Sequence, residues 1–185
     1  SYNSSVVAAS QAIADINEDC SITFNAANSS LVALNDVDSA AGELSVTLAA
    51  TKGTLSLSQT TGLTFSTGDG TSDGTMTFTG TLTNINAALD GLTYAATTDE
   101  TGAETITITV NDQGNTGAGG GADVVRTLTF NLTAQNDDPT VSYNSSVVAA
   151  SQAIADINEE GTITFNAANS SLIALADTDV AAGEL

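Results

Sequence analysis

Apolar and polar residues alternate along much of the chain. In ETITITVND (Glu104 to Asp112), Ile106, Ile108 and Val110 fall on one face and threonines on the other. RTLTFNLTA repeats the pattern with Leu128, Phe130 and Leu132, ELSVTLAA with Leu44, Val46 and Leu48, and TMTFTGTL with Met76, Phe78 and Leu82. SITF adds Ile22 and Phe24. Period-two alternation carried by β-branched residues predicts half-buried antiparallel strands. Between them lie turn formers: Lys52-Gly53, Gly68-Asp69-Gly70, Asp73-Gly74 and Thr101-Gly102. Short strands at this spacing predict an all-β sandwich. One helix is expected in NINAALDGL, capped by Asn84 and ended by Gly91. VAASQAIADI shows helical spacing of Ala and Ile but reads equally well as a strand.

The sequence starts over at Ser142. Residues 1–44 and 142–185 align without a gap at a spacing of 141, and only seven positions differ. The pairs are Asp19/Glu160, Cys20/Gly161, Ser21/Thr162, Val32/Ile173, Asn35/Ala176, Val37/Thr178 and Ser39/Val180. Such a period is too long for a solenoid unit and fits a whole domain in tandem. Residues 1–141 are expected to form one complete repeat and 142–185 the first part of the next. Because the two ends are interchangeable by sequence, 45–185 is an equivalent registration. It implies strand exchange with a neighbouring molecule, and hence a homo-oligomer or filament.

Charge changes the picture. Twenty-two acidic residues face two basic ones, Lys52 and Arg126, for a net charge of −20. Nucleic acid and anionic membranes would repel this chain, and no run of about eighteen apolar residues exists to insert into a bilayer. Cations are its natural partners. There is no His, so the commonest general base and transition-metal ligand are both missing. A Ser or Cys nucleophile would lack a base. Paired carboxylates for glycoside cleavage would need a cleft, and there is no Trp to stack on a sugar. GAGGGAD (Gly117 to Asp123) has no Lys after it and reads as a hairpin, not a phosphate loop. An enzyme is not expected.

The acidic residues gather at strand ends. Glu18 and Glu159 precede a strand; Asp36, Asp38, Asp177 and Asp179 follow one as Asp-x-Asp; Asn111 and Asp112 end the strongest strand. Asn136, Asp137 and Asp138 stand before Pro139, the single proline, where one copy gives way to the next. Ca²⁺ takes six to eight hard oxygens, and Asp-x-Asp on a turn presents two carboxylates to one ion. The alternative at every such cluster is an Asx-turn or loop cap. That alternative leads for Asp69 and Asp73 in TGDGTSDGT.

An early Glu, Asp-x-Asp after the second strand, VND-x-G after the penultimate strand and ND-x-P closing the last resemble, in order and spacing, the cadherin repeat. The segment from Gly53 to Ala96, with its INAAL turn, is similar to the middle of cadherin-like repeats in giant bacterial surface adhesins and RTX-type proteins. The resemblance covers the whole 141-residue unit. It implies a cadherin/immunoglobulin-like Greek-key β-sandwich with Ca²⁺ between repeats, held by Glu18, Asn136, Asp137, Asp138, Asp177 and Asp179. Asp36, Asp38 and Asp112 would lie at the far end of the first repeat. The linker NDDP is one residue shorter than the family's NDNAP, and Asp99-Glu100 is the nearest pair to its Asp-Arg-Glu motif.

The function this implies is a Ca²⁺-stiffened extender repeat of a large extracellular or cell-surface protein, with neighbouring repeats as its partners. The alternative is an adhesive module that binds a glycan or another cell directly. The single cysteine, Cys20, replaces a Gly of the second copy, which reads as drift between copies or as a site of intermolecular pairing. Asn-x-Ser/Thr occurs at Asn3, Asn28, Asn131, Asn144 and Asn169, as chance allows in so Ser/Thr-rich a chain.

Overall fold

The computed structural model describes residues 4–6, 11–27, 30–36, 42–115, 121, 123–143, 146–147, 165 and 173–176. Chain contacts divide it into two units, Ser1–Ala134 and Gln135–Leu185.

In the first unit the strands follow the alternation. They are β1 (Ser4–Val6), β2 (Gln11–Ala12), β3 (Ile16–Asn17), β4 (Ser21–Phe24), β5 (Leu34–Asp36) and β6 (Glu43–Ala50). Next come β7 (Gly53–Ser56), β8 (Leu63–Thr67), β9 (Thr75–Thr81), α1 (Leu82–Leu89), β10 (Leu92–Ala96), β11 (Gly102–Asn111) and β12 (Val124–Thr133). The large sheet runs β2-β12-β11-β6-β9-β8, with β3 also on β12; a smaller one runs β4-β10-β7, and β1 pairs with β5. The inward positions of the large sheet are Leu44, Val46, Leu48, Met76, Phe78, Ile106, Ile108, Val110, Leu128, Phe130 and Leu132. They share one core with Phe24, Leu55, Leu92 and Tyr94 of the small sheet. Tyr94 meets Phe130 edge-on, with ring centroids 5.2 Å apart, so an aromatic pair joins the two sheets. The architecture is all-β and sandwich-like.

Both β2 and β3 run parallel to β12 along one edge. Where they are interrupted, the Asp15 carboxylate accepts the Asn131 N–H at 2.9 Å and so stands in for a backbone acceptor. Of the segment that read as helix or strand, Gln11–Ala12 and Ile16 are therefore strand, and none of its described residues is helical. The helix begins three residues before its expected start. Thr81 is its cap: its Oγ1 accepts the Asn84 N–H at 3.4 Å. Asn84 instead donates its side-chain amide to Gly62 O. Leu82 accordingly opens α1 and does not extend β9. Gly91, at φ +99°, lets the chain turn from α1 into β10, where an L side chain would be strained. Gly80 occupies an inward position of β9 because a Cβ there would lie 2.7 Å from Leu63 Cδ2.

The second unit holds β13 (Thr140–Tyr143), β14 (Ser146–Val147) and β15 (Ile173–Ala176), in the order β14-β13-β15. Ser142, the copy of Ser1, faces Ala174, the copy of Ala33. In the first unit the corresponding block pairs with Ser4 opposite Asp36, so near-identical sequences hold different registers.

Candidate functional site

Three backbone connections bring the carboxylates of one end of the first unit together. First, β3 lies beside the end of β12: the Glu18 N–H donates to Thr133 O at 3.0 Å, and Thr133 Oγ1 donates to Asn17 Oδ1 at 2.9 Å. Glu18 is thereby turned inward and left 3% exposed. Asp19 follows at φ +62°, a conformation that Asp tolerates better than most residues. Second, the Ala96 N–H donates to Cys20 O at 3.1 Å, which fixes the end of β10 against this turn. Third, the loop after β10 is tied to the β6–β7 turn, since the Thr97 N–H donates to Lys52 O at 3.0 Å. Lys52 Nζ donates to Thr101 O and pairs with Glu100 at 3.6 Å. Asp99, at φ +60°, is the apex of that loop. The result is a pair of exposed carboxylates, Asp19 and Asp99, with an oxygen of each within 4.8 Å of the other. Two like charges at this separation favour a shared cation.

The β6–β7 turn is itself held from inside. Glu104 sits on the inward face of β11, fully buried. Its Oε1 accepts the Thr51 N–H at 2.8 Å and the Thr51 hydroxyl at 3.1 Å. Its Oε2 accepts the Lys52 N–H at 2.6 Å and the Tyr94 hydroxyl at 3.2 Å. A buried carboxylate surrounded by four donors is an anchor for the turn. Through Lys52, that anchor sets the loop carrying Asp99.

Burial holds the Tyr94 hydroxyl well above its usual 10.0, and the Glu104 charge and hydrogen bond add to the shift. Raising a folded-state pKa favours the protonated form in the folded chain. The resulting stability is fully present below pH 10 and is lost as pH climbs from there through the raised folded value. Urea titrations at pH 9 and pH 11 should therefore differ by about 1.4 kcal/mol in all from this group, nearly all of it lost above pH 10. In Tyr94→Phe that component should vanish. Equal alkaline slopes in the two proteins would refute the assignment.

The expected metal residues separate into groups. Glu18 stands at the end just described. Asp112 stands at the other end, because β11 and β12 are antiparallel, with Gly102 opposite Leu132 and Val110 opposite Val124. The strands between them span roughly 30 Å. Asp112 Oδ1 accepts the Gly114 N–H at 3.1 Å and Asn111 Oδ1 accepts the Gln113 N–H at 2.7 Å, a pair of Asx-turns. Gln113 and Asn115 side chains then donate to Glu43 O. Asp36 is half-buried at the end of β5. Asn136 and Asp138 are exposed and Asp137 half-buried, all in the second unit. Asp38, Asp177 and Asp179 lie outside the described residues, as do residues 116–120 and 122 of the Gly-rich hairpin.

Asp69 and Asp73 form a turn with internal bonds. Asp73 Oδ2 accepts the Asp69 and Gly70 N–H groups at 3.0 and 2.8 Å, and Asp69 Oδ1 accepts that of Thr71 at 2.9 Å. Cys20 is a free, exposed thiol. Among the described residues, no helix is long and apolar enough to cross a membrane.

Asp19, Glu104 and the role of Thr51 were not foreseen from the sequence. Only Glu104 left a local signal: it shares the parity of Ile106, Ile108 and Val110 and so had to face inward.

No protein-family model matches the chain, and no curated protein or solved structure gives a significant match.

Proposed function

We propose that the chain is a structural, Ca²⁺-stiffened tandem repeat of a large extracellular protein, built as a cadherin/immunoglobulin-like Greek-key sandwich. Its task is mechanical: to space or assemble the modules it joins. The observation that carries this reading is the Asp19–Asp99 carboxylate pair at the end of the unit where the chain departs. From Thr133, beside Glu18, only a few covalent links lead to Asn136, Asp137 and Asp138, a reach of about 10–17 Å. Those oxygens are the proposed remainder of the coordination sphere. The cation cancels carboxylate repulsion and removes hinge freedom at the joint. The sheet order supports the finer fold assignment. A β4-β10-β7 sheet facing β2/β3-β12-β11-β6, with the first segment parallel to the last strand, is the arrangement of such sandwiches. The β8–β9 hairpin and α1 are then an insertion before β10.

Calorimetric titration of the chain with CaCl₂ in 150 mM NaCl tests the reading. Saturable binding of at least one ion per chain is expected, weakened at least tenfold by Asp99→Asn. Absence of saturable heat, or binding indifferent to this change and to Asp19→Asn, would overturn it.

A further inference from the structure

The outer face of the large sheet has a chemistry unlike the rest of the chain. The burial pattern of β6, β9, β11 and β12 turns odd-numbered positions outward. Across 45–49, 75–81, 103–111 and 125–133 those positions hold mostly threonine, with some Ser, Ala, Asn and Val, and no Asp, Glu, Lys or Arg. The register lays them in rows. Thr77, Thr47, Thr109 and Val125 stand side by side on four neighbouring strands, and Thr107 lies in the next row. Val125 is 48% exposed. Among the described residues, the charges that touch this face stand at its margin. At one end Glu43 Oε2 accepts the Thr79 hydroxyl at 3.2 Å, and Asp123 Oδ1 accepts the Asn111 side-chain amide at 2.7 Å. At the β12 edge Asp15 accepts from Asn131.

Strand propensity accounts for threonine at exposed positions, but not for the missing charge. Soluble proteins ordinarily intersperse charges over such a face, which keeps copies apart. In a chain of net charge −20, an uncharged centre inside an acidic rim has the composition of a protein interface. The hydroxyls are also partly satisfied within the sheet. Thr47 Oγ1 and Thr77 Oγ1 lie 3.0 Å apart and share a hydrogen bond, so drying them costs less than drying free hydroxyls.

We propose that this face is a self-association surface, occupied by the same face of a second copy of the chain. Charge selects the occupant. An anionic partner is repelled by a chain of −20, and a cationic one is drawn to the acidic turns and strand ends instead. A neutral glycan needs a cleft or aromatic side chains to stack on, and this open face has neither. A second copy brings a neutral, self-complementary face and leaves its carboxylates at the rim. The area suits a weak contact. Strands lie about 4.8 Å apart and alternate residues about 6.8 Å, so each outward residue covers about 33 Å² of sheet. The face is thus about 500–600 Å², and two copies bury about 1,000–1,200 Å², the lower limit for a specific interface. The dimer is weak and reversible, and becomes effective where successive units of two chains lie side by side. The proposal does not depend on metal binding.

Sedimentation equilibrium of the full chain, at up to about 1 mM protein, reads this association. The buffer holds 500 mM NaCl, EDTA and a reducing agent, so that neither a metal bridge nor a Cys20 disulfide contributes. The parent should form a reversible dimer. Thr107→Glu should weaken it at least tenfold by setting like charges against each other. Thr107→Lys gives the decisive sign. It lowers the net negative charge, so general repulsion predicts tighter association, whereas a charge stranded in the uncharged centre predicts a loss of at least tenfold. Val125→Lys, at the exposed end of its row, should give the same loss. Ala95→Glu, exposed on the outer side of β10 in the small sheet, adds the same charge as Thr107→Glu and should leave association within about twofold. A chain that sediments as an 18.4 kDa monomer at every concentration would overturn the proposal. So would a dimer indifferent to Thr107→Lys and Val125→Lys, or one that Ala95→Glu weakens as much as Thr107→Glu does.

Discussion

Replacing Glu104 by alanine should cost about 3–5 kcal/mol of folding stability, the largest loss expected from any single change outside the apolar core. Four donors converge on this fully buried carboxylate, from Thr51 N, Thr51 Oγ1, Lys52 N and the Tyr94 hydroxyl. Alanine leaves those donors facing a cavity. Against a total of about 5–15 kcal/mol for a domain of this size, about a fifth or more of the stability would go. The melting temperature should fall by about 10–20 °C. Glu104→Gln should cost less, about 2 kcal/mol, because its carbonyl oxygen still accepts while its amide opposes the remaining donors. Combining Glu104→Gln with Tyr94→Phe removes one opposed donor, so the double variant should lose less than the sum of the singles. Urea denaturation of the parent and these four variants measures all of this. A Glu104→Ala chain within 1 kcal/mol of the parent would show that the buried carboxylate is not the anchor of the β6–β7 turn.

The same residue shows what the sequence could and could not disclose. Because a strand's two faces are written in period two, alternation located β6, β9, β11 and β12 and named their large apolar inward residues, though it wrongly carried Leu82 of α1 into β9. Glu104 lies in that series, but a charge on the inward face has meaning only when its donors are known, and three of the four come from Thr51 and Lys52, more than fifty positions away. The helix was legible as INAAL, whereas its cap was not: Thr81 and Asn84 are both sound cap residues, and the end of β9 decided between them. The Asp19–Asp99 pair joins residues far apart in sequence through the pairing of β4 with β10, so no local spacing rule could find it. Glu18 and Asp112 were readable as acidic strand ends. That they lie at opposite ends of the unit follows from the antiparallel run of β11 and β12.

Removing Ca²⁺ should lower stability in a way that added monovalent salt cannot restore. With free Ca²⁺ at about one hundred times Kd, one site contributes about 2.7 kcal/mol, or roughly 5–10 °C in melting temperature. A chain with net charge −20 would gain something from any electrolyte, so chelation in dilute buffer proves little by itself. The comparison that decides is chelator against Ca²⁺ at 150 mM and again at 500 mM NaCl, where diffuse screening is already supplied. The Asp19 and Asp99 carboxylates give a sharper criterion, because they predict a reversal of sign. Without metal they repel, so Asp19→Asn or Asp99→Asn should stabilise the chelated protein by a few tenths of a kcal/mol. With Ca²⁺ present, the same substitution removes a charged ligand and should forfeit most of the metal-dependent gain. A merely structural role for these turns would make each variant equally stable or unstable in both conditions. The crossing of the two melting series, stabilised in chelator and destabilised in Ca²⁺, is what a shared cation at this end of the unit requires.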